Sequence, residues 1–600
     1  MRRLAINLIG TTIRAEFVAG SVLVLLTALA YSNSFSGPWV FDDLPNIRNN
    51  PAIRSWKPAQ FFASGNNRPV LMSTFSINYA LSGFDTVGYH ATNWLIHLSA
   101  GVLLWRLLEQ LLRNDRLLGA DPVASRLAWL SAALWLVHPL QTESVSYIVQ
   151  RAESLMGLLF IATIYLIVRG ATVERGWPWY LTAIATTWLG MGCKEVMATV
   201  PMVMALIDRM LLCDSWQQVM RRRGLVYLGL IVALVTYTRS FVPLISGESV
   251  SAGFGQQGHS ALEHLYSEPY AILLYLRQVI WPWPQCFDWH FQPVTTFAAA
   301  AWPGAIVVAI LLTAFTAGHF QRLASLPWLV FFIVLAPTSS VIPVLDIAVE
   351  HRMYLPLAGL LTWLVVLGYR VLQRLVVPAW QSRVGLVLSL AVLFSLTTST
   401  YLRNRVYQSE IALWQSVVDL RPNNYRALNN LAGGLLAQGK AAEAERLWRS
   451  TIEMAPARDT SSITYNLARS LEVQGRIDEA IEQLDRVIAL EPQEATVFMQ
   501  RAELELQQGR MSKAIASLDQ AAKLQPSWSN VQLRLGECYL RAGMISQAIE
   551  HLRRAAELQP DSTKILAALV EAYDQAGDTT QATAARQRLQ SLRNSPRPGK

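Results

Sequence analysis

The sequence predicts an all-α protein in two unlike parts, a polytopic membrane helical bundle of about 11 spans over residues 1–403 and a tetratricopeptide-repeat α-solenoid over 404–592. Three observations lead there. Hydrophobic residues make up 52% of the chain and charged residues only 16%, against roughly a quarter charged in an average soluble protein. Apolar runs long enough for a hydrocarbon core of ~30 Å recur through the first two thirds. Glycine, alanine and proline then return with a period of 34 residues, lengthened to 36 between the first and second repeats by an insertion near Ala455 to Ser462.

The apolar runs lie near 16–35, 89–112, 126–139, 152–169, 177–192, 195–212, 224–243, 298–318, 326–344, 353–373 and 383–402. The first contains Ala-Leu-Ala at 28–30, which imitates a signal-peptidase site. It continues to Phe35 and many spans follow, so it reads as an uncleaved anchor. The run 268–287 carries Arg277 in its middle and ends in two Trp-Pro pairs, which suits a segment lying in the outer interface. With that segment not crossing and the N-terminus cytoplasmic, Arg113, Arg116, Arg169, Arg175, Arg221 to Arg223, Arg322, Arg370, Arg374 and Arg383 all face the cytoplasm. The chain after residue 403 is then extracytoplasmic, periplasmic in a bacterial inner membrane. The formal charge of +9 sits in these short loop clusters, which is not the pattern of a nucleic-acid groove.

In the last third, Gly439, Gly475, Gly509, Gly543 and Gly577 are each followed five residues on by Ala444, Ala480, Ala514, Ala548 and Ala582, with prolines at 422, 456, 492, 526 and 560. Glycine at the turn, a small residue where helices touch and proline after the second helix make the tetratricopeptide signature. Five repeats are expected, preceded by a half repeat, Ile411 to Pro422, and followed by a disordered tail, 593–600. The four cysteines, Cys193, Cys213, Cys286 and Cys538, have no paired spacing and imply neither a disulfide framework nor a zinc site.

On this topology the unusual polar residues gather on the outer face. Asp42, Asp43, Asn46 and Arg68 lie in the first outer loop, and His138, Glu143, Arg151 and Glu153 in the second. Lys194 and Glu195 follow in the third, and Glu350, His351, Arg352 and Tyr354 in a later one. Any one of these can be a solvated anchor at a span end. Four clusters that each pair acids with bases describe a polar pocket roofed by membrane helices. Such a pocket suits a substrate that is half lipid and half polar. Arg151, Lys194, His351 and Arg352 are donors for a lipid-linked phosphate. Asp42 or Asp43 is the type to take a proton from an acceptor hydroxyl. Phosphate is a good leaving group, so charge neutralisation matters more than a general acid. The chemistry these types serve is glycosyl transfer. No Gly-rich phosphate loop occurs, and His90 and His97, seven apart on one helix face, suit helix packing better than metal binding, so no metal is indicated although a divalent ion stays open.

The stretches FDDLPNIRNNPAI, NRPVLMSTFSINYAL, HPLQTESVSYIVQRAE, CKE and EHRMYLPLAG, in this order and followed by repeats, resemble the transmembrane and tetratricopeptide-repeat O-mannosyltransferases. The resemblance implies a C-type glycosyltransferase fold, a polyprenyl-phosphate sugar as donor, and O-mannosylation of protein. Carried over by position, it puts the acidic motif on Asp42 and Asp43, with Asp42 as base, and the donor phosphate on Arg151, Lys194 and Arg352. No further cofactor is implied, and the expected partners are membrane lipid, the lipid-linked sugar and an acceptor protein held by the repeats. Two other readings stay open: the same fold acting on an envelope glycan or lipid, and a membrane-anchored scaffold without catalysis.

Overall fold

The computed structural model describes residues 2–55, 57–63, 67–113, 122–237, 258–317 and 322–594, and among these every regular element is a helix. The chain divides into two compact units, Met1–Arg421 and Pro422–Lys600.

In the first unit each of the 11 expected spans overlaps a helix: Arg2–Tyr31, Thr86–Arg113, Pro122–Leu136, Arg151–Thr172, Trp177–Met191, Val200–Ile207, Trp216–Val235, Phe297–Ala317, Arg322–Leu335, Pro356–Leu375 and Pro378–Asn404. Five helical segments are by themselves long and apolar enough to cross a membrane: Thr86–Arg113, Ile148–Thr172, Phe297–Ala317, Pro356–Leu375 and Pro378–Gln408. A sixth forms if Val123–Leu136 and Pro139–Ser146, bent by 55°, count as one broken span. The break at 137–139 carries His138 and Pro139, and the proline has no amide to continue the helical ladder. Prolines at the first turns of Pro69–Ser82, Pro356–Leu375 and Pro378–Asn404 start helices where a missing amide costs nothing.

Small residues let the helices close on one another. A Cβ on Gly157 would stand 2.4 Å from the Tyr354 ring, and one on Gly101 2.4 Å from the Leu136 side chain. Residues 268–280 of the segment expected to be interfacial belong to a continuous helix, Ala261–Ile280, opened by a capping box on Ser260 and Glu263, and 281–287, with both Trp-Pro pairs, lie beyond its end. Its buried face carries His264, Ser267, Glu268 and Gln278 among Ala271, Ile272, Tyr275 and Val279, while Leu262, Leu265 and Ile280 are exposed.

The second unit is five helix pairs, from Tyr425–Ala437 with Ala441–Met454 to Thr563–Gln575 with Thr579–Asn594. The five period-marking glycines all have positive φ, between 70° and 80°, which is the left-handed turn only glycine makes without strain. The five alanines that follow them are all fully buried. The expected half repeat forms helix Glu410–Leu420 and groups with the first unit, because Trp414 packs edge-on against Phe41 and Phe287, 5.1 and 5.3 Å between ring centroids. Arg593 and Asn594 still belong to the last helix; the rest of the expected tail, Arg116 and residues 238–257 lie outside the described residues.

Candidate functional site

The first outer loop is held by its own backbone. Phe41 adopts a left-handed conformation, φ 45°, which costs a bulky residue on the order of 1–3 kcal/mol. Its ring is kept there by Phe287 and Trp414. The turn separates the two adjacent acids. Asp43 is fully buried, its Oδ2 accepting the Val40 amide at 3.1 Å and its Oδ1 the Val149 amide at 2.7 Å. Burial pushes its carboxyl up to about 8 in spite of those two donors. Asp42 is half-buried, and its amide donates to the Tyr147 hydroxyl at 2.9 Å. Asn46 is exposed and its side chain caps the Asp42 carbonyl at 2.9 Å. Asp43 therefore bolts the loop to the short turn Ile148–Gln150 that leads into helix Arg151–Thr172, with Asp42 half-buried beside it.

A second group comes together from three remote stretches. His351 donates through its amide and Nδ1 to the two Glu143 oxygens, at 3.1 and 2.7 Å. Burial, with the Lys194 ammonium beside it, takes the imidazole down to about 3, so it is neutral. With Nδ1 committed to Glu143, its Nε2 faces Glu153 at 4.0 Å. Glu153 in turn pairs with Lys194, both nearly buried. Arg352 stands at the edge, donating to the carbonyls of Ile347 at 2.8 Å and Thr338 at 3.4 Å. Arg68 and Glu195 approach to 3.7 Å in a more exposed pair. Glu350 is held by Gln278 at 2.9 Å, Gln285 at 3.2 Å and the Cys286 amide at 2.8 Å.

Three expected site residues are placed elsewhere. Arg151 is fully buried, and its guanidinium is spent on Asn93 Oδ1 at 2.6 Å, Thr74 Oγ1 at 3.2 Å and the Tyr89 carbonyl at 3.1 Å, over the Phe75 ring. It is a strut between helices and does not reach the Lys194 group. His138 ties the broken span to the Val279 carbonyl at 3.3 Å, and the Tyr354 hydroxyl meets His97 at 3.0 Å. Both pack the bundle. Sequence reasoning missed Tyr147, Gln278, Gln285 and Arg403, none of which stands out by type in an apolar stretch.

A narrow cleft, with room for about one water molecule, is lined by Glu153, Met156, Val196, Val334, Thr338, Arg352 and Leu355. Val334 and Leu355 also line a groove of about 120 Å³ between helices Thr86–Arg113, Arg151–Thr172, Val200–Ile207, Arg322–Leu335 and Pro356–Leu375. That groove is walled by Leu104, Leu108, Phe160, Ile164, Val330 and similar side chains. A polar group in the cleft thus adjoins an apolar slot. Among the described residues, no three His, Cys, Asp or Glu side chains gather as metal ligands would.

Burial pushes the Glu350 carboxyl up to about 7, against the pull of Arg403. The folded chain then keeps a proton that the unfolded chain releases near 4.5, so the stability this group contributes is complete below that value and is lost as pH rises through about 7. The thermal midpoint in detergent is expected to fall from about pH 5 to about pH 8, with a shallower slope in Glu350→Gln. An unchanged slope in the variant would remove Glu350 as the cause.

Family models described as Tetratricopeptide repeat match residues 425–450, 465–529 and 505–561. The chain is 24% identical over 457 residues to a Protein O-mannosyl-transferase of Caenorhabditis elegans, covering 73% of this chain and 62% of that one. It is 26% identical over 498 residues to the Protein O-mannosyl-transferase TMTC4 of Homo sapiens, covering 72% and 65%. It is 24% identical over 554 residues to the Protein O-mannosyl-transferase Tmtc3 of Drosophila melanogaster, covering 78% and 58%. The motif resemblance and these relatives agree. The chain spans about three fifths of the length of the curated relatives it matches. Among solved structures, a MamA double mutant covers 28% of this chain at 19% identity and a TM-score of 0.27.

Proposed function

We propose that this chain is an integral-membrane glycosyltransferase that moves a hexose from a polyprenyl phosphate to a Ser or Thr hydroxyl of a protein on the extracytoplasmic face. The observation that carries the reading is the junction of the two cavities: a cleft edged by Glu153 and Arg352, beside the Lys194 and His351 group, shares Val334 and Leu355 with an apolar groove. A polyprenyl phosphate has that shape, a charged head on a hydrocarbon tail. The names of the relatives, protein O-mannosyl-transferases, support mannose as the sugar and protein as the acceptor.

In this reading Lys194 and Arg352 hold the phosphate; His351, expected from the sequence to join them, is neutral with its one ring N–H given to Glu143, so it positions the group instead. Lys194 supplies a point charge and Arg352 a planar one, both of which gain strength away from bulk water. Asp42 takes the acceptor hydroxyl proton as the oxygen bonds to the sugar C1, while the bond from C1 to the phosphate oxygen breaks and phosphate leaves as an anion. Asp43 keeps the loop in place. The repeats recruit the acceptor protein.

Glycopeptide mass spectrometry of envelope proteins tests this. Cells with the wild-type chain are expected to carry a hexose on Ser or Thr that is missing with Asp42→Asn. A hexose on envelope glycan or lipid and on no protein would move the acceptor class, and no difference anywhere would refute transfer.

A further inference from the structure

Arg403 lies in the last turn of helix Pro378–Asn404 and is 7% exposed. Among the described residues its Nε and Nη2 are buried and meet no acceptor in full hydrogen-bond geometry, with the Tyr407 hydroxyl the polar group beside the guanidinium. Those two nitrogens form one edge of the guanidinium, the edge whose parallel N–H bonds fit two adjacent oxygens. Its charge is felt by Glu143 and Glu350, yet both carboxylates are bonded elsewhere, Glu143 to His351 and Glu350 to Gln278, Gln285 and the Cys286 amide. The Tyr407 ring lies 5.5 Å from the guanidinium carbon, and Phe287 stands between Tyr407 and Phe41, at 6.1 Å from each. Phe41 immediately precedes Asp42.

Carboxylate, phosphate and a vicinal diol all present two adjacent oxygens. In the reading above the donor phosphate is already met by Lys194 and Arg352, which leaves the diol for this edge. A diol is neutral, and each hydroxyl can accept from the guanidinium edge while donating to a lone pair left on Glu143 or Glu350. The aromatic wall from Tyr407 to Phe41 suits the C–H faces of a sugar ring. We propose that the Nε and Nη2 edge of Arg403, flanked by Glu143 and Glu350, binds vicinal hydroxyls of the transferred hexose, a subsite separate from the residues that hold the phosphate. This rests on the glycosyl-transfer reading above.

The test is equilibrium binding of two probes to the full chain in nanodiscs, mannosyl polyprenyl phosphate and sugar-free polyprenyl phosphate. Arg403→Gln is expected to weaken the mannosyl lipid by about tenfold or more, the size of a lost charged hydrogen bond, and to leave the sugar-free lipid unchanged. Arg403→Lys keeps the charge and loses the fork, so it is expected to show the same selective loss. If Arg403→Gln does not melt as a folded protein, Arg403→Lys carries the comparison. Equal weakening of both probes would make Arg403 a phosphate contact and overturn the subsite, as would no change in either. A wild-type chain that binds neither lipid would refute the donor reading and the subsite together. One that binds both lipids equally well would refute the subsite alone.

Discussion

Asp42→Asn is expected to lower sugar transfer by about 10²–10⁴-fold, the usual worth of a general base, while the protein inserts and melts as the wild type does. The side chain is half-buried, and the hydrogen bonds that join its residue to Tyr147 and Asn46 use the backbone amide and carbonyl. Asparagine leaves those contacts intact. Asp43→Asn is expected to behave the other way. Its two oxygens accept the amides of Val40 and Val149, so one amide loses its acceptor, at a cost of about 1–3 kcal/mol. The measurement is initial transfer rate beside thermal midpoint for both variants in the same detergent. Transfer retained in Asp42→Asn would sink its role as base. A folded Asp43→Asn with no activity would shift that role to its neighbour.

The second large effect is expected at Arg151, and it separates a strut from a substrate grip. Arg151→Lys keeps the positive charge but cannot serve Asn93 Oδ1, Thr74 Oγ1 and the Tyr89 carbonyl together. A loss of stability on the order of 3 kcal/mol is expected from the buried acceptors left over. Donor KM in the fraction that folds is expected to stay as in the wild type. A wild-type melting curve with a raised donor KM would return Arg151 to the phosphate site.

Arg151 also shows where sequence reasoning stops. An arginine at a span end among acids has the same appearance whether its donors are spent on helices or held for a ligand, and only the position of Asn93, Thr74 and Tyr89 decides. The two adjacent acids of the first loop posed the same difficulty, settled here by the turn at Phe41 and by the Val149 amide, 106 residues away. Arg403 escaped notice because a basic residue just past the last span is the ordinary anchor. The solenoid was legible because each repeat needs glycine, alanine and proline for reasons internal to that repeat. The division at Arg421 was not, since the partners of Trp414 are Phe41 and Phe287, far off in sequence. The helices of the first unit were legible as apolar runs, and their packing was not.

Helix Ala261–Ile280 bears on how the protein is made. A hydropathy profile averages around a helix, and here the average conceals a side. Until Glu268 and Gln278 have their surroundings, exposing them to lipid is costly, and the partner of Gln278, Glu350, is synthesised 72 residues later. A segment with one apolar and one polar side is expected to stay at the membrane surface while the chain behind it emerges. Docking it is a late event of assembly. The contact between Gln278 and Glu350 is then expected to form only after the loop bearing Glu350, His351 and Arg352 has been made.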